Sequence, residues 1–164
     1  MSTARYVHGV AVAGGKLYVM GGLDSTDTIV SSVECFDPST GVWSAVADMN
    51  TARYSHGVAV VSDKLYALGG VDVTNTDLSS VECLDPLTGQ WSTVAGGGMS
   101  TARFSHGVTV VDGKLFAAGG KNDVDGILSS VECFDPLTGQ WSALADMNTA
   151  RSFVAMVALE CPAE

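Results

Sequence analysis

One five-residue phrase occurs four times along the chain, and its spacing limits the folds available. It reads Met1-Ser2-Thr3-Ala4-Arg5, Met49-Asn50-Thr51-Ala52-Arg53, Met99-Ser100-Thr101-Ala102-Arg103 and Met147-Asn148-Thr149-Ala150-Arg151. Three complete copies cover 1–48, 49–98 and 99–146 of a single domain, and a partial fourth covers 147–164. A unit of about 50 residues cannot bury an apolar face alone, so such units stack into propellers or solenoids.

Within a copy the pattern is that of short strands. Tyr6–Val12, Leu17–Met20, Ser32–Phe36 and Trp43–Val46 are separated by turn residues, and no stretch sustains a 3.6-residue period. Gly14-Gly15 and Asp112-Gly113 suit two-residue hairpins that need positive φ; Ser62-Asp63 suits one less well. Asp37-Pro38-Ser39-Thr40-Gly41 reads as a turn with Pro presetting φ and Gly in the left-handed region. Four antiparallel strands per unit predict the blade of an all-β propeller. The 19 glycines and the 16% share of charged residues suit tight turns better than solvated helices.

These copies resemble the kelch repeats over nearly the whole chain. The marks are the doublets Gly21-Gly22, Gly69-Gly70 and Gly119-Gly120, the acids Glu34, Glu82 and Glu132, and Trp43, Trp91 and Trp141. Phe36, Leu84 and Phe134 stand where the family usually has a Tyr, which keeps the burial and loses the phenol hydrogen bond. The resemblance implies three kelch-type blades and one extra strand, Arg151–Leu159. In that strand Val154-Ala155 replaces the His-Gly pair, and Phe153, Met156, Val157 and Leu159 form an apolar face.

Closed propellers hold 4 to 8 blades. Three blades leave three arrangements open: a fragment of a longer array, two chains forming a six-bladed ring, or an open arc partly capped by the last strand. The fourth first-strand complicates the ring, since six blades need only three such strands from each chain.

Composition narrows the function. A net charge of −10 opposes a nucleic-acid phosphate backbone. No apolar run approaches the length of a membrane span, and no signal peptide is evident, so the cytoplasm is the default location.

The repeated polar residues have framework readings. Cys35, Cys83 and Cys133 share one repeat position on separate blades, too far apart for a disulfide or a common metal, and read as small buried hydrophobes. His8, His56 and His106 read as structural, hydrogen-bonded side chains rather than a zinc set. The four arginines read as partners of the repeating Glu, with a ring gripping an acidic ligand as the alternative. Lys121–Gly126 approaches a calcium-loop pattern but has Lys121 where an acid is needed. No catalytic motif, metal site or cofactor is expected.

The three copies diverge most at Leu23–Val30, Val71–Leu78 and Lys121–Leu128. The resemblance implies a protein-binding module whose partner docks at one channel mouth. That mouth is built by residues after the opening Arg and after the Gly doublet. The matching positions are Tyr6, Val7, Tyr54, Ser55, Phe104, Ser105, Ser152 and Phe153, with Leu23, Asp24, Val71, Asp72, Lys121 and Asn122. Aromatics beside arginines suggest a protein or peptide partner carrying acidic residues. The alternatives are a kelch-like enzyme of sugar-oxidising or sialic-acid chemistry and a structural or cytoskeletal scaffold.

Overall fold

The two-residue hairpins set the architecture. A computed structural model describes residues 1–94 and 96–157. Gly14-Gly15, Ser62-Asp63 and Asp112-Gly113 all sit at positive φ, so all three turns have the twist a tight hairpin needs. Ser62, at φ 50°, therefore takes the same left-handed conformation as the glycine in the first copy.

Each copy forms one four-stranded antiparallel sheet in sequence order. Blade 1 comprises Gly9–Ala13, Lys16–Met20, Val33–Asp37 and Val42–Val46. Blade 2 comprises Gly57–Val61, Lys64–Leu68, Val81–Asp85 and Gln90–Thr93. Blade 3 comprises Gly107–Val111, Lys114–Ala118, Val131–Asp135 and Gln140–Ala143. First strands of successive blades lie against one another, which puts them at the centre of the arc.

Register divides each sheet into two faces. In blade 1 the pairs Val10↔Val19, Val12↔Leu17, Leu17↔Phe36 and Phe36↔Trp43 share the back face. Ala11↔Tyr18, Tyr18↔Cys35 and Met20↔Val33 share the forward face. The forward face of blade 1 packs on the back face of blade 2, joining Tyr18, Met20, Val33 and Cys35 to Leu65, Ala67, Leu84 and Trp91. Blades 2 and 3 repeat this with Tyr66, Leu68, Val81 and Cys83 against Leu115, Ala117, Phe134 and Trp141. The core is thus two copies of one interface, and the repeated thiols Cys35, Cys83 and Cys133 are free and buried.

Glycines permit the close approach of blades. A Cβ on Gly21 would lie 2.5 Å from the Arg53 carbonyl oxygen and 2.8 Å from His56. A Cβ on Gly9 would overlap Val58 of the next blade.

Two sequence expectations need correction. The first strand begins at Gly9, three residues later than expected, because Val7 sits at φ 47° and turns the chain out of extended geometry. Residues 151–157 form no strand, although they follow the path of a blade's opening segment; 158 and 159 lie outside the described residues. Val154 and Met156 of that segment approach Gly107, whereas Phe153 and Val157 are 78% and 76% exposed.

Candidate channel-mouth interface

The repeating arginines build the frame of the mouth from beneath. Arg53 donates to the carbonyl oxygens of Gly69 and Ser80 and forms a 2.6 Å ion pair with Glu82. Arg5–Glu34 and Arg103–Glu132 do the same at 2.9 and 2.7 Å. All three guanidinium groups are fully buried. Each Glu also accepts backbone N–H groups from the opening phrase of its own copy, such as Ser100 and Thr101 on Glu132. Burial pushes the Glu34 and Glu132 carboxyls up, but these donors and the arginines outweigh it and hold both below the usual carboxylate range. The framework reading of Arg5, Arg53 and Arg103 is the observed one. None of them is free to grip an acidic ligand, while Arg151 is exposed.

Above this frame the two expected residue sets meet. Tyr6 pairs with Leu23 and Arg5 with Asp24 in a short antiparallel ladder. Tyr54 bridges Val71, and Phe104 bridges Lys121, each through reciprocal backbone hydrogen bonds of 3.0–3.1 Å. The turn from Lys121–Asn122 to Gly126–Ile127 closes a small hairpin. Its Asn122 side chain bonds the backbone of Ala102, Val124 and Asp125, so the near-calcium pattern is a self-closed turn.

Val7, Ser55, Ser105 and Phe153 form the innermost tier. All four have φ between 47° and 55°. The Ser55 N–H donates to the Val7 carbonyl, Ser105 to Ser55, and Phe153 to Ser105, at 2.9, 2.9 and 2.8 Å. One hydrogen bond per blade therefore runs around the axis. Beside it lies a shallow cavity of about 190 Å³, lined by these residues with His8, His56, His106 and Val154.

His56 and His106 do not act as hydrogen-bonded side chains. Among the described residues neither of their ring nitrogens has a partner; each ring fills the gap left by glycines of the preceding blade. Burial, then repulsion from Arg53 or Arg103, holds both at about 3, so they are neutral imidazoles.

The accessible side chains are fewer than the sequence suggests. Val71 and Asn122 are buried and build the rim from within. Asp24 and Asp72 organise their loops by accepting from Thr26 and Thr28, and from Thr74 and Thr76. Tyr6 and Phe153 are well exposed, and Lys121 Nζ stands 4.9 Å above the Phe104 ring. Sequence reasoning missed the rim acids. Asp27 accepts from the Tyr6 hydroxyl at 2.6 Å, and Asp77 accepts from the Asp123 N–H at 2.7 Å. Asp77, Asp123 and Asp125 line a cleft of about 470 Å³ between the loops of blades 2 and 3. All four acids lie in the segments that diverge among the copies, which was the available signal.

Comparison with known proteins agrees with the architecture. The family model described as the KLHDC2/KLHL20/DRC7 Kelch-repeats domain matches residues 1–160. Human Kelch-like protein 21 is 54% identical over 37 residues, which cover 23% of this chain and 6% of that protein. Kelch-like protein 9 of Mus musculus is 44% identical over 54 residues, 30% of this chain and 9% of that protein. Beta-scruin of Limulus polyphemus is 37% identical over 49 residues, 30% of this chain and 5% of that protein. The matches thus span less than a tenth of these relatives' lengths. The solved structure of YjhT superposes with a TM-score of 0.77 at 20% identity, over 90% of this chain and 54% of that one. No helix among the described residues is long and apolar enough to cross a membrane.

Proposed function

The chain belongs to this kelch-repeat family, and from that premise we propose that it is a non-enzymatic module binding a partner protein or peptide at the channel mouth. The observation that carries this reading is the contrast between a repeated frame and a rim that varies in sequence. The Arg–Glu pairs, glycine doublets and inter-blade cores recur blade by blade, while the loops on top differ in sequence, and blade 3 closes its loop through Asn122 where blades 1 and 2 use Asp24 and Asp72. A rigid scaffold presenting varied loops is how binding surfaces are built. Tyr6, Tyr54 and Phe104 supply the aromatic anchors.

The charge of the partner follows from the rim. With three arginines buried and Asp27, Asp77, Asp123 and Asp125 at the surface, a neutral or basic peptide fits better than the acidic one suggested by the sequence. Free buried thiols and an acidic surface suit a cytoplasmic setting. Two chains completing a ring would double the anchors.

The test is binding to peptide pools of defined charge. Basic pools should be retained by the wild type and released by Tyr54→Ala and Phe104→Ala, with thermal stability unchanged. Equal retention by the variants would overturn the mouth as the site. Metal analysis and a thermal-shift screen of sugars address the enzyme alternative, which a bound metal or a sugar-induced shift would favour.

A further inference from the structure

The partial fourth copy lies in a seat built for a blade. The Gly120 N–H donates to the Arg151 carbonyl at 2.7 Å, as Gly22 does to Arg53 at 2.9 Å and Gly70 to Arg103 at 3.0 Å. The Phe153 N–H continues the axial tier. Val154 and Met156 stand against Gly107 as His56 and Val58 stand against Gly9, and as His106 and Val108 stand against Gly57. Three independent registers therefore put Arg151–Val157 where an opening strand belongs.

The seat is only partly filled. Arg53 and Arg103 are 0% exposed, yet Arg151 at the same repeat position is exposed. Behind the segment the forward face of blade 3 lies open, with Val111 42% and Leu144 43% exposed. At the other end of the arc the back face of blade 1 is open, with Val10 49% and Val12 63% exposed. These two faces are the two halves of the interface that already joins blade 1 to blade 2 and blade 2 to blade 3. Trp91 at that interface donates its indole N–H to the Ala47 carbonyl at 2.8 Å. Trp43 and Ala145 hold the same repeat positions on the two open faces.

We propose that Arg151–Val157 is a plug that occupies the seat a second copy's Arg5–Ala13 must take for two chains to close one ring. The proposal rests on the ring reading given above and adds a gate to it. The plug is tethered, so it competes at a high effective concentration. The second copy brings the complete set, His8, Gly9 and Val10 backed by a whole blade, and so buries more apolar surface once the plug leaves. Closure would place Tyr6, Tyr54 and Phe104 of both copies around one mouth.

Light scattering after size exclusion tests this on three forms: the full chain, a form ending at Ala150, and that form with Val12→Asp. Val12 is exposed on the open back face, so its substitution leaves the single chain intact. The expected result is a full chain near 16.9 kDa, a shortened chain near twice its own mass, and a return to one-chain mass with Val12→Asp. A full chain already dimeric overturns the plug and leaves the ring. A folded shortened chain that stays monomeric overturns both. Growth of the shortened chain into larger open-ended assemblies overturns closure. Should the shortened form not fold, Met156→Asp in the full chain lifts the segment from Gly107. A doubling of mass then supports the plug, and a single-chain mass overturns it.

Discussion

The back faces of blades 1 and 2 carry nearly the same residues and live in different surroundings. His8, Val10, Val12 and Leu17 of blade 1 correspond to His56, Val58, Val60 and Leu65 of blade 2. Leu65 is 0% exposed and His56 8%, whereas Val12 is 63% exposed. The strand, the register and the residue types are shared, so the difference comes from the neighbour. In this repeat architecture burial belongs to the interface rather than to the blade, as expected of a quasi-one-dimensional stack.

The largest predicted effect compares a complete copy with the partial one. Arg53→Ala leaves the buried Glu82 carboxylate without its cation, and should cost about 3–5 kcal/mol. Arg151→Ala, at an exposed position, should stay within about 0.5 kcal/mol. Urea melts of the two variants decide it; equal losses would mean that the tail is held as firmly as a blade.

Leucine truncation sharpens the comparison of faces. Leu65→Ala opens a cavity in the covered interface and should cost about 2–5 kcal/mol. Leu17→Ala, at the same repeat position on the open face, should cost less than about 1.5 kcal/mol. If both cost the same by denaturant unfolding, the back face of blade 1 is covered in solution, and self-association becomes the first thing to examine.

Next in size is the pH response. His56 and His106 lie at about 3 in the folded chain against 6.5 when unfolded. Below pH 6.5 the unfolded chain binds protons that the native chain refuses, so stability is full above 6.5 and falls as pH drops toward 3. Each His should remove about 1.6 kcal/mol between pH 6.5 and 5. Glu34 and Glu132 act in a lower window. Their depressed folded values stabilise above about 4.5, and that contribution is lost as pH falls through them. His8 is half-buried at the open edge, and its value is lowered by burial and by Arg5 without a blade in front of it. His56→Gln should therefore flatten the stability slope between pH 6.5 and 5 far more than His8→Gln. Equal flattening would show that His8 too is enclosed.

The repeat made most of the fold legible. Four strands per copy, the glycine approach and the Arg–Glu pairing follow from residues that recur, and the meeting of Tyr6 with Leu23 follows from the family resemblance. What escaped depends on backbone conformation and on contacts outside the recurring positions. The start of the first strand was hidden because Val7, a β-branched residue, gives no sign that it will sit at positive φ. The rim acids were hidden because Asp27 and Asp77 matter only once their loops fold back over Tyr6 and Asp123. The burial of the arginines leaves the rim acidic, and the neutral or basic partner proposed above rests on that.

The smallest predicted effect concerns the exposed outer turns. Leu87 and Leu137 are both 97% exposed, and blade 1 has Ser39 at the same place. The turn is held by features all three copies share. The N–H groups of Ser39, Leu87 and Leu137 donate to the side chains of Asp37, Asp85 and Asp135 at 2.9 Å. The N–H groups of Gly41, Gly89 and Gly139 donate to the same residues' carbonyls at 2.8 Å. None of these bonds involves the leucine side chain. Leu87→Ser should therefore leave stability within about 0.5 kcal/mol by thermal melting. A loss well beyond that would place a neighbour on Leu87, and the outer turns would join the two open faces as surfaces covered in solution.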